Sequence, residues 1–333
     1  MLYSDLYVKD GGGNIKEQLR ISRLCFGSLC MGPMQSGLSV DEGAKIIGHA
    51  LDLGVNFIDT AQIYKTYPYI RAALSAAREG AVISTKTYAH TRNLAAKAVK
   101  EALRGLGREY IDIFLLHEQE SLHTLYGHIE ALEYLFEQKQ AGIIKAVGIS
   151  THHVAGVWGA MEFNRAYKGE HKLDVIHPMH NIAGLGIIPE NAVPQMETAL
   201  AEAKKNGFFI FSMKALGGGN LFANAEKALA FSVSKPFIDS VAVGMKSELE
   251  VLANVNFINS GKFTGEYYKN YRETCLKKRL HIDGWCEGCG KCVAACASKA
   301  LSIIGGAAVC DREKCVLCGY CSRACGCFAI KII

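Results

Sequence analysis

Short runs of β-forming apolar residues recur along the first 260 positions, separated by stretches in which apolar side chains return every three or four residues. The runs fall at 24–28, 56–60, 81–86, 111–117, 144–150, 174–177, 208–213 and 240–243. Amphipathic helices are predicted between them, for example at 41–53, 94–106, 129–140 and 193–205. In the third of these, Ile129, Leu132, Leu135 and Phe136 share one face. Gly54, Gly107, Gly142 and Gly207 stand where a helix stop favours glycine. Eight strand–helix units predict an α/β fold, a closed (β/α)8 TIM barrel rather than an open doubly wound sheet. An open sheet would also want a glycine-rich phosphate loop after its first strand, and Gly27 to Gly32 lacks the G-x-G-x-x-G spacing. Gly11-Gly12-Gly13 predicts a turn near the N-terminus.

Barrels of this kind gather their chemistry at the C-terminal ends of the strands. Asp59, Lys86, His117 and Ser150 close successive strands, so each is expected at the same mouth. Tyr64 follows Asp59 by five residues and is expected within reach of it. Taken singly, each has a plainer explanation: Asp59 as the cap of a helix near 69–77, His117 as a core histidine, Tyr64 as packing. Their order at successive strand ends favours chemistry. A tyrosine ordinarily holds its proton up to about pH 10, and a neighbouring ammonium is expected to lower that value.

The strings Asp59-Thr60-Ala61-Gln62-Ile63-Tyr64, Ser84-Thr85-Lys86, Leu115-Leu116-His117 and Gly148-Ile149-Ser150 resemble the signature of the aldo/keto reductase family over about residues 15–260. The resemblance implies a nicotinamide-linked oxidoreductase acting on a small carbonyl substrate. It implies Tyr64 as proton donor, Lys86 as its tuner, Asp59 as the partner of Lys86 and His117 as the group that orients the substrate oxygen. It also implies Ser150 and Thr151 at the carboxamide, with His177 and Met213 standing where family members place a glutamine and a stacking aromatic. Lys214 lies in the run Met213 to Gly219, which is similar to the subset of the family that carries a C-terminal two-cluster ferredoxin module. Gly217–Gly219 is open to two readings, a backbone approach to the pyrophosphate or a flexible loop. At the adenosine end, Gly244-Met245-Lys246-Ser247 and Asn254 are similar to the family's pattern after the last strand. Lys246 favours the 2′-phosphate of NADP over NAD, whereas Glu250 opposes it where relatives often carry arginine.

Beyond residue 280 the chain changes character. Cys286, Cys289, Cys292 and Cys296 form a C-x2-C-x2-C-x3-C run, and Cys315, Cys318, Cys321 and Cys325 repeat it 29 residues later. Thiolates suit iron–sulfur clusters, and in tandem runs the fourth cysteine of each serves the other cluster. On that rule Cys286, Cys289, Cys292 and Cys325 hold one [4Fe–4S] cluster, and Cys315, Cys318, Cys321 and Cys296 a second. A zinc or disulfide framework is the competing reading. Residues 281–333 resemble bacterial two-cluster ferredoxins, with Ala297 and Gly326 replacing the proline usual after each run. The predicted organisation is a barrel over 1–260, a linker over 261–280 and a small α+β ferredoxin-like domain over 281–333.

The remaining composition narrows the picture further. Half of the 333 residues are apolar and 21% are charged, enough for a sizeable core. The formal charge of +5 is offset by about −2 for each thiolate-bound cubane, which leaves no nucleic-acid footprint. No apolar run is long enough to span a membrane, no leader is visible at the first residues, and a cytoplasmic setting is expected. Lys277-Lys278-Arg279 reads as a solvated linker or as a docking patch for an acidic redox partner protein. His152, His153, His180 and Asn181 are candidates for the substrate mouth or for the surface. Cys25, Cys30 and Cys275 are expected to be idle thiols, and Cys310 and Cys327 are spare by count. A nicotinamide moves two electrons and a cubane one, so a flavin mediator is a further expectation, although no flavin motif is present. An electron-transfer protein with a catalytically silent barrel is the alternative from a different class.

Overall fold

The computed structural model describes residues 2–75, 80–189, 192–264, 278–296, 298–315, 317 and 319–333. The chain opens with an antiparallel hairpin, β1 (Tyr3–Lys9) and β2 (Ile15–Ser22), turned at the predicted glycines. Eight parallel strands follow: β3 (Leu24–Gly27), β4 (Phe57–Asp59), β5 (Val82–Thr87), β6 (Ile111–Leu116), β7 (Ile144–Thr151), β8 (Val175–Pro178), β9 (Phe209–Ser212) and β10 (Ser240–Gly244). They close in chain order, with β10 hydrogen-bonded to β3. The expected barrel is therefore present, and every predicted strand coincides with an observed one within one or two residues.

The outer helices are α1 (Val40–Asp52), α2 (Tyr67–Leu74), α3 (Arg92–Leu106), α4 (Leu122–Gly127), α5 (Ile129–Gln140), α6 (Val154–Ala166), α7 (Val193–Lys205), α8 (Ala225–Val233) and α9 (Glu248–Ser260). Local chemistry fixes their ends. Ser39 and Glu42 form a reciprocal capping box on α1, and Thr91 and Ser247 cap α3 and α9. Gly54, Gly107, Gly142 and Gly207 all take positive φ, between 67° and 87°, as stop residues should.

Alternation along the strands divides the core into two layers. Phe57, Val82, Ile113, Leu115, Val175, Phe209 and Phe211 point into the barrel, where Leu6, Val8, Leu19 and Ile21 of the hairpin plug its floor. Ile58, Ile83, Phe114, Leu116, Ile149 and Ile176 point outward against the helices. The inward parity continues to the strand ends and carries Asp59, Lys86, His117 and His177 into the lumen above the hydrophobic layers.

Gly148 belongs to the inward set, and a Cβ there would stand 2.0 Å from the Val175 carbonyl oxygen of the neighbouring strand. Gly148→Ala must push β7 from β8. A loss of about 1–3 kcal/mol, or more if the ladder breaks, is expected in denaturant unfolding.

The C-terminal residues build a second, smaller α+β unit. β11 (Leu280–Ile282) pairs antiparallel with β14 (Ile330–Ile332), and β12 (Leu301–Ile304) with β13 (Ala307–Cys310). Two single-turn helices, α10 (Lys291–Ala294) and α11 (Tyr320–Arg323), each start after a left-handed glycine, Gly290 and Gly319. The 29-residue sequence repeat is thus a structural repeat. Its core joins Leu280, Leu301, Ala329, Ile330 and Ile332 to the cysteines.

Candidate active site

Lys86, at the end of β5, is fully buried, and its ammonium donates to both carboxylate oxygens of Asp59 at 2.7 Å and to the Thr60 carbonyl at 2.7 Å. All three of its donors are thereby used, the condition under which a buried charge is tolerated. Burial alone would raise the Asp59 carboxyl, but Lys86 and His177 outweigh it and hold the group at about 2. Asp59 is not a helix cap: Thr66 occupies the cap position of α2.

Tyr64 ends a single 3₁₀ turn, Gln62–Tyr64, stopped by Lys65 in the left-handed region. Its ring lies 5.1 Å from the Lys86 ammonium and 5.9 Å from the His117 ring, edge on. Asp59, Tyr64, Lys86 and His117 are therefore brought together. One electrostatic expectation is corrected. The Tyr64 hydroxyl is pushed well up, not down, first by burial and then by Asp59, because the Lys86 charge is already matched by that carboxylate. Tyr64 thus holds its proton at neutral pH. Burial and Lys86 also drive His117 well below the usual imidazole range, so it is neutral, and its Nδ1 has no partner among the described residues. Tyr88, which no local pattern singled out, stacks on the His117 ring at 4.4 Å.

A groove open to solvent, with a cavity volume of about 160 Å³, runs from this group to the far side of β10. It is lined by Tyr64, Asp59, His177 and Met213 at one end, by Lys214 and Gly218–Gly219 midway, and by Gly244, Lys246, Glu250 and Asn254 at the other. Most residues expected to contact a dinucleotide therefore share one groove. Asn254 is buried, and its Oδ1 has no hydrogen-bond partner among the described residues. An orphaned acceptor on a groove wall suits the amino group of an adenine. The donor and acceptor set along the groove fits a nicotinamide dinucleotide.

Two expectations need correction. The Thr151 hydroxyl turns away from the lumen into a local turn, accepting from the His153 amide at 2.9 Å, because it has the outward parity. Ser247 is a helix cap, accepting from the Glu250 amide at 3.2 Å, and does not line the groove. The Ser150 hydroxyl is buried and accepts from the Glu118 amide at 2.8 Å, which leaves its own proton free to donate. His177 stacks on Phe211 at 3.8 Å, with Nε2 3.7 Å from Asp59, so it belongs to the Asp59–Lys86 network as well as to the groove. His180 and Asn181 are wholly buried; His180 bonds Ser232 and Glu197, and Asn181 closes a loop onto Leu185. They do not line the mouth.

The C-terminal unit forms part of the groove, which no local sequence signal announced. Lys331, Ile332 and Ile333 line it, and Gly217–Gly219, all with positive φ, presses against β14. A Cβ on Gly219 would stand 1.8 Å from the Ile332 carbonyl oxygen. The glycine run is therefore a tight docking turn. Lys331 is buried in an ion pair with Asp283 and sits 4.3 Å over the Trp285 ring. Burial, then Lys331, pulls the neighbouring Lys214 down to about 7. Phe328 packs toward His152, ring to ring at 6.3 Å.

The cysteines of both runs fall within or against the second unit's core, apart from Cys289 and from Cys318, which with Ala297 lies outside the described residues, as do Cys275 and Lys277. Cys289 is the exposed member. The Sγ atoms of Cys286, Cys296 and Cys325 accept backbone N–H groups of Ala308, Ala300 and Ala329 at 3.4, 3.2 and 3.3 Å. Among the described residues no group of three or more His, Cys, Asp or Glu side chains is arranged around a metal position. No helix among them is long and apolar enough to cross a membrane.

Comparison with known proteins supplies the family. An oxidoreductase of unassigned role from Bacillus subtilis, YqkF, is 23% identical over 296 residues, which cover 76% of this chain and 94% of the relative. Methylglyoxal reductase DkgA of Escherichia coli is 30% identical over 131 residues, 36% of this chain and 47% of that protein. Among solved structures, a putative aldo-keto reductase from Pseudomonas aeruginosa superposes with TM-score 0.62 at 23% identity, over 78% of this chain and 95% of that one. Aldo-keto reductase AKR11C1 from Bacillus halodurans gives 0.60 at 21%, over 82% and 96%. The sequence model of the Aldo/keto reductase family matches residues 23–227, more than half of the chain and the stretch that carries Asp59, Tyr64, Lys86 and His117, so this protein belongs to the aldo/keto reductase family of oxidoreductases.

Proposed function

We propose that the protein reduces a small aldehyde or ketone with a nicotinamide dinucleotide, NADP(H) ahead of NAD(H), and that its C-terminal unit is a ferredoxin-like module with two [4Fe–4S] clusters. The observation that carries the reductase reading is the buried Lys86–Asp59 pair beneath Tyr64, open on one side to the groove. When bound, the reduced nicotinamide supplies the hydride. The Tyr64 hydroxyl, still protonated, delivers the proton to the carbonyl oxygen. Lys86, held in place by Asp59, is the cation 5.1 Å from the ring of the phenolate that remains. Neutral His117 donates a hydrogen bond that aims the oxygen at Tyr64. His177 and Met213 would wall the nicotinamide end, and Lys246 and Asn254 the adenosine end. The name of the methylglyoxal reductase among the relatives is in keeping with a small carbonyl substrate.

For the second unit, Cys286, Cys289, Cys292 and Cys325 would hold one cluster and Cys315, Cys318, Cys321 and Cys296 the other. Such clusters supply one-electron transfer and place the protein in a reducing, cytoplasmic setting. The backbone N–H groups aimed at three of these sulfurs support the reading, since they favour thiolates. A second reading, an electron-transfer protein whose barrel is silent or binds flavin, is favoured by Met213 standing where a stacking aromatic is expected.

Anaerobically purified protein should carry about eight irons per chain, the content of two cubanes. Adding NADPH while following cluster absorbance and carbonyl turnover separates the readings. Bleaching of the absorbance with turnover indicates coupled halves. Turnover without bleaching indicates an appended module, and neither indicates a silent barrel. Tightly bound zinc in place of iron would end the redox reading of the second unit.

A further inference from the structure

The far end of the groove holds more positive charge than the barrel alone provides. Lys246 and Lys278 both line it, and Lys278 belongs to the segment entering β11 rather than to any barrel element. Between them stands Glu250, itself buried. One of its oxygens accepts the Lys246 backbone amide at 2.8 Å, and the other lies 3.8 Å from the Lys278 ammonium. Lys278 is further held 5.8 Å over the Phe222 ring. The Glu250 carboxylate is therefore shared by the Lys246 backbone amide and the Lys278 ammonium, with exposed Arg279 next in sequence. Burial and then Lys278 lower Lys246, so the two lysines are close enough to repel. Two lysines against one carboxylate leave one positive charge, which a further anion beside Lys246 would balance.

The geometry of the groove says which anion. Tyr64 marks the end where hydride must be delivered, so the nicotinamide lies there. The adenosine half of the dinucleotide then reaches Lys246, Lys278 and Asn254. At that half the group that distinguishes NADP from NAD is the 2′-phosphate. Glu250 by itself would repel it; Lys278 neutralises Glu250 and leaves Lys246 free to meet the phosphate. We infer that Lys278, from outside the barrel, is a specificity-determining residue that selects NADP(H) by completing a two-lysine phosphate site. The inference rests on the reading of the groove as a dinucleotide site and adds the residue that sets its preference.

The test is equilibrium binding of NADPH and of NADH to the full-length holoprotein, read by fluorescence, in the parent and in Lys278→Met, Lys278→Arg and Glu250→Gln. The parent should bind NADPH more tightly. Lys278→Met should shrink the NADPH-to-NADH affinity ratio by about tenfold, equivalent to about 1.4 kcal/mol. Lys278→Arg should preserve the ratio, and Glu250→Gln should widen it. An unchanged ratio in Lys278→Met, equal losses for both dinucleotides, or a narrower ratio in Glu250→Gln would each overturn the inference while leaving the dinucleotide reading intact. If the parent binds neither dinucleotide, both fall together. Should the Lys278 variants fold poorly, the direction of the change in Glu250→Gln still decides between these outcomes.

Discussion

Tyr64→Phe is expected to lower kcat for carbonyl reduction by about 10²–10⁴-fold, the usual contribution of a positioned proton donor. The substitution removes one oxygen from a residue that lines an open groove, so the fold should be retained. Iron content and far-UV circular dichroism should match the parent, and the loss should fall on kcat more than on KM, because the proton is needed only in the transition state. The pH profile gives a second check. Tyr64 is pushed well up by burial and by Asp59, so the proton-loaded form persists through neutral pH and activity should hold across that range. Turnover near the parent value in Tyr64→Phe would remove Tyr64 from the chemistry and with it the reductase reading.

Lys86→Met should be the most destabilising single change at the site. It leaves the Asp59 carboxylate buried with its principal cation gone, and breaking such a pair costs about 3–5 kcal/mol. The sign of the pH effect follows from the shift. In the parent, Asp59 is held at about 2, below the free value near 4. The pair therefore contributes stability that is fully present above the free value and is lost as pH falls toward 2. Without Lys86, burial raises the carboxyl above its free value. The variant should then be least stable near neutrality and recover as acid protonates Asp59, the reverse of the parent. Denaturant unfolding at about pH 7 and about pH 5 measures this, and Lys86→Met/Asp59→Asn should restore much of the loss by removing the stranded charge. A Lys86→Met protein with parental stability at neutral pH would mean that His177, 3.7 Å from Asp59, is a sufficient counter-ion.

Much of this arrangement was legible in the chain because strand physics is local. Barrel strands are buried on both faces and read as apolar runs, and glycine marks the ends of helices whatever surrounds them. Three of the four site residues were legible for the same reason: Phe57 and Asp59, Ser84 and Lys86, Leu115 and His117 lie two residues apart, so an inward residue implies an inward successor. That parity also places Thr151 outside, since Ser150 is inside, and the Ser247–Glu250 spacing is a helix-cap pattern. Both corrections were available from the sequence. Lys278 and Lys331 were not. Their places in the groove depend on how a separate unit docks on Gly217–Gly219, and nothing in the local pattern encodes a contact across that distance. The net electrostatics of Tyr64 were likewise hidden, because proximity to Lys86 is visible in a motif but the matching of its charge by Asp59 is a matter of ångströms.

The β1–β2 hairpin under the barrel has a consequence for how this enzyme can change. It closes the base of the lumen with Leu6, Val8, Leu19 and Ile21, opposite the rim where the groove opens. Foundation and doorway are thus at opposite poles of the same cylinder. Selection for a new substrate can rewrite the rim loops without loosening the base, whereas swapping the hairpin should alter resistance to heat and leave substrate preference where it was.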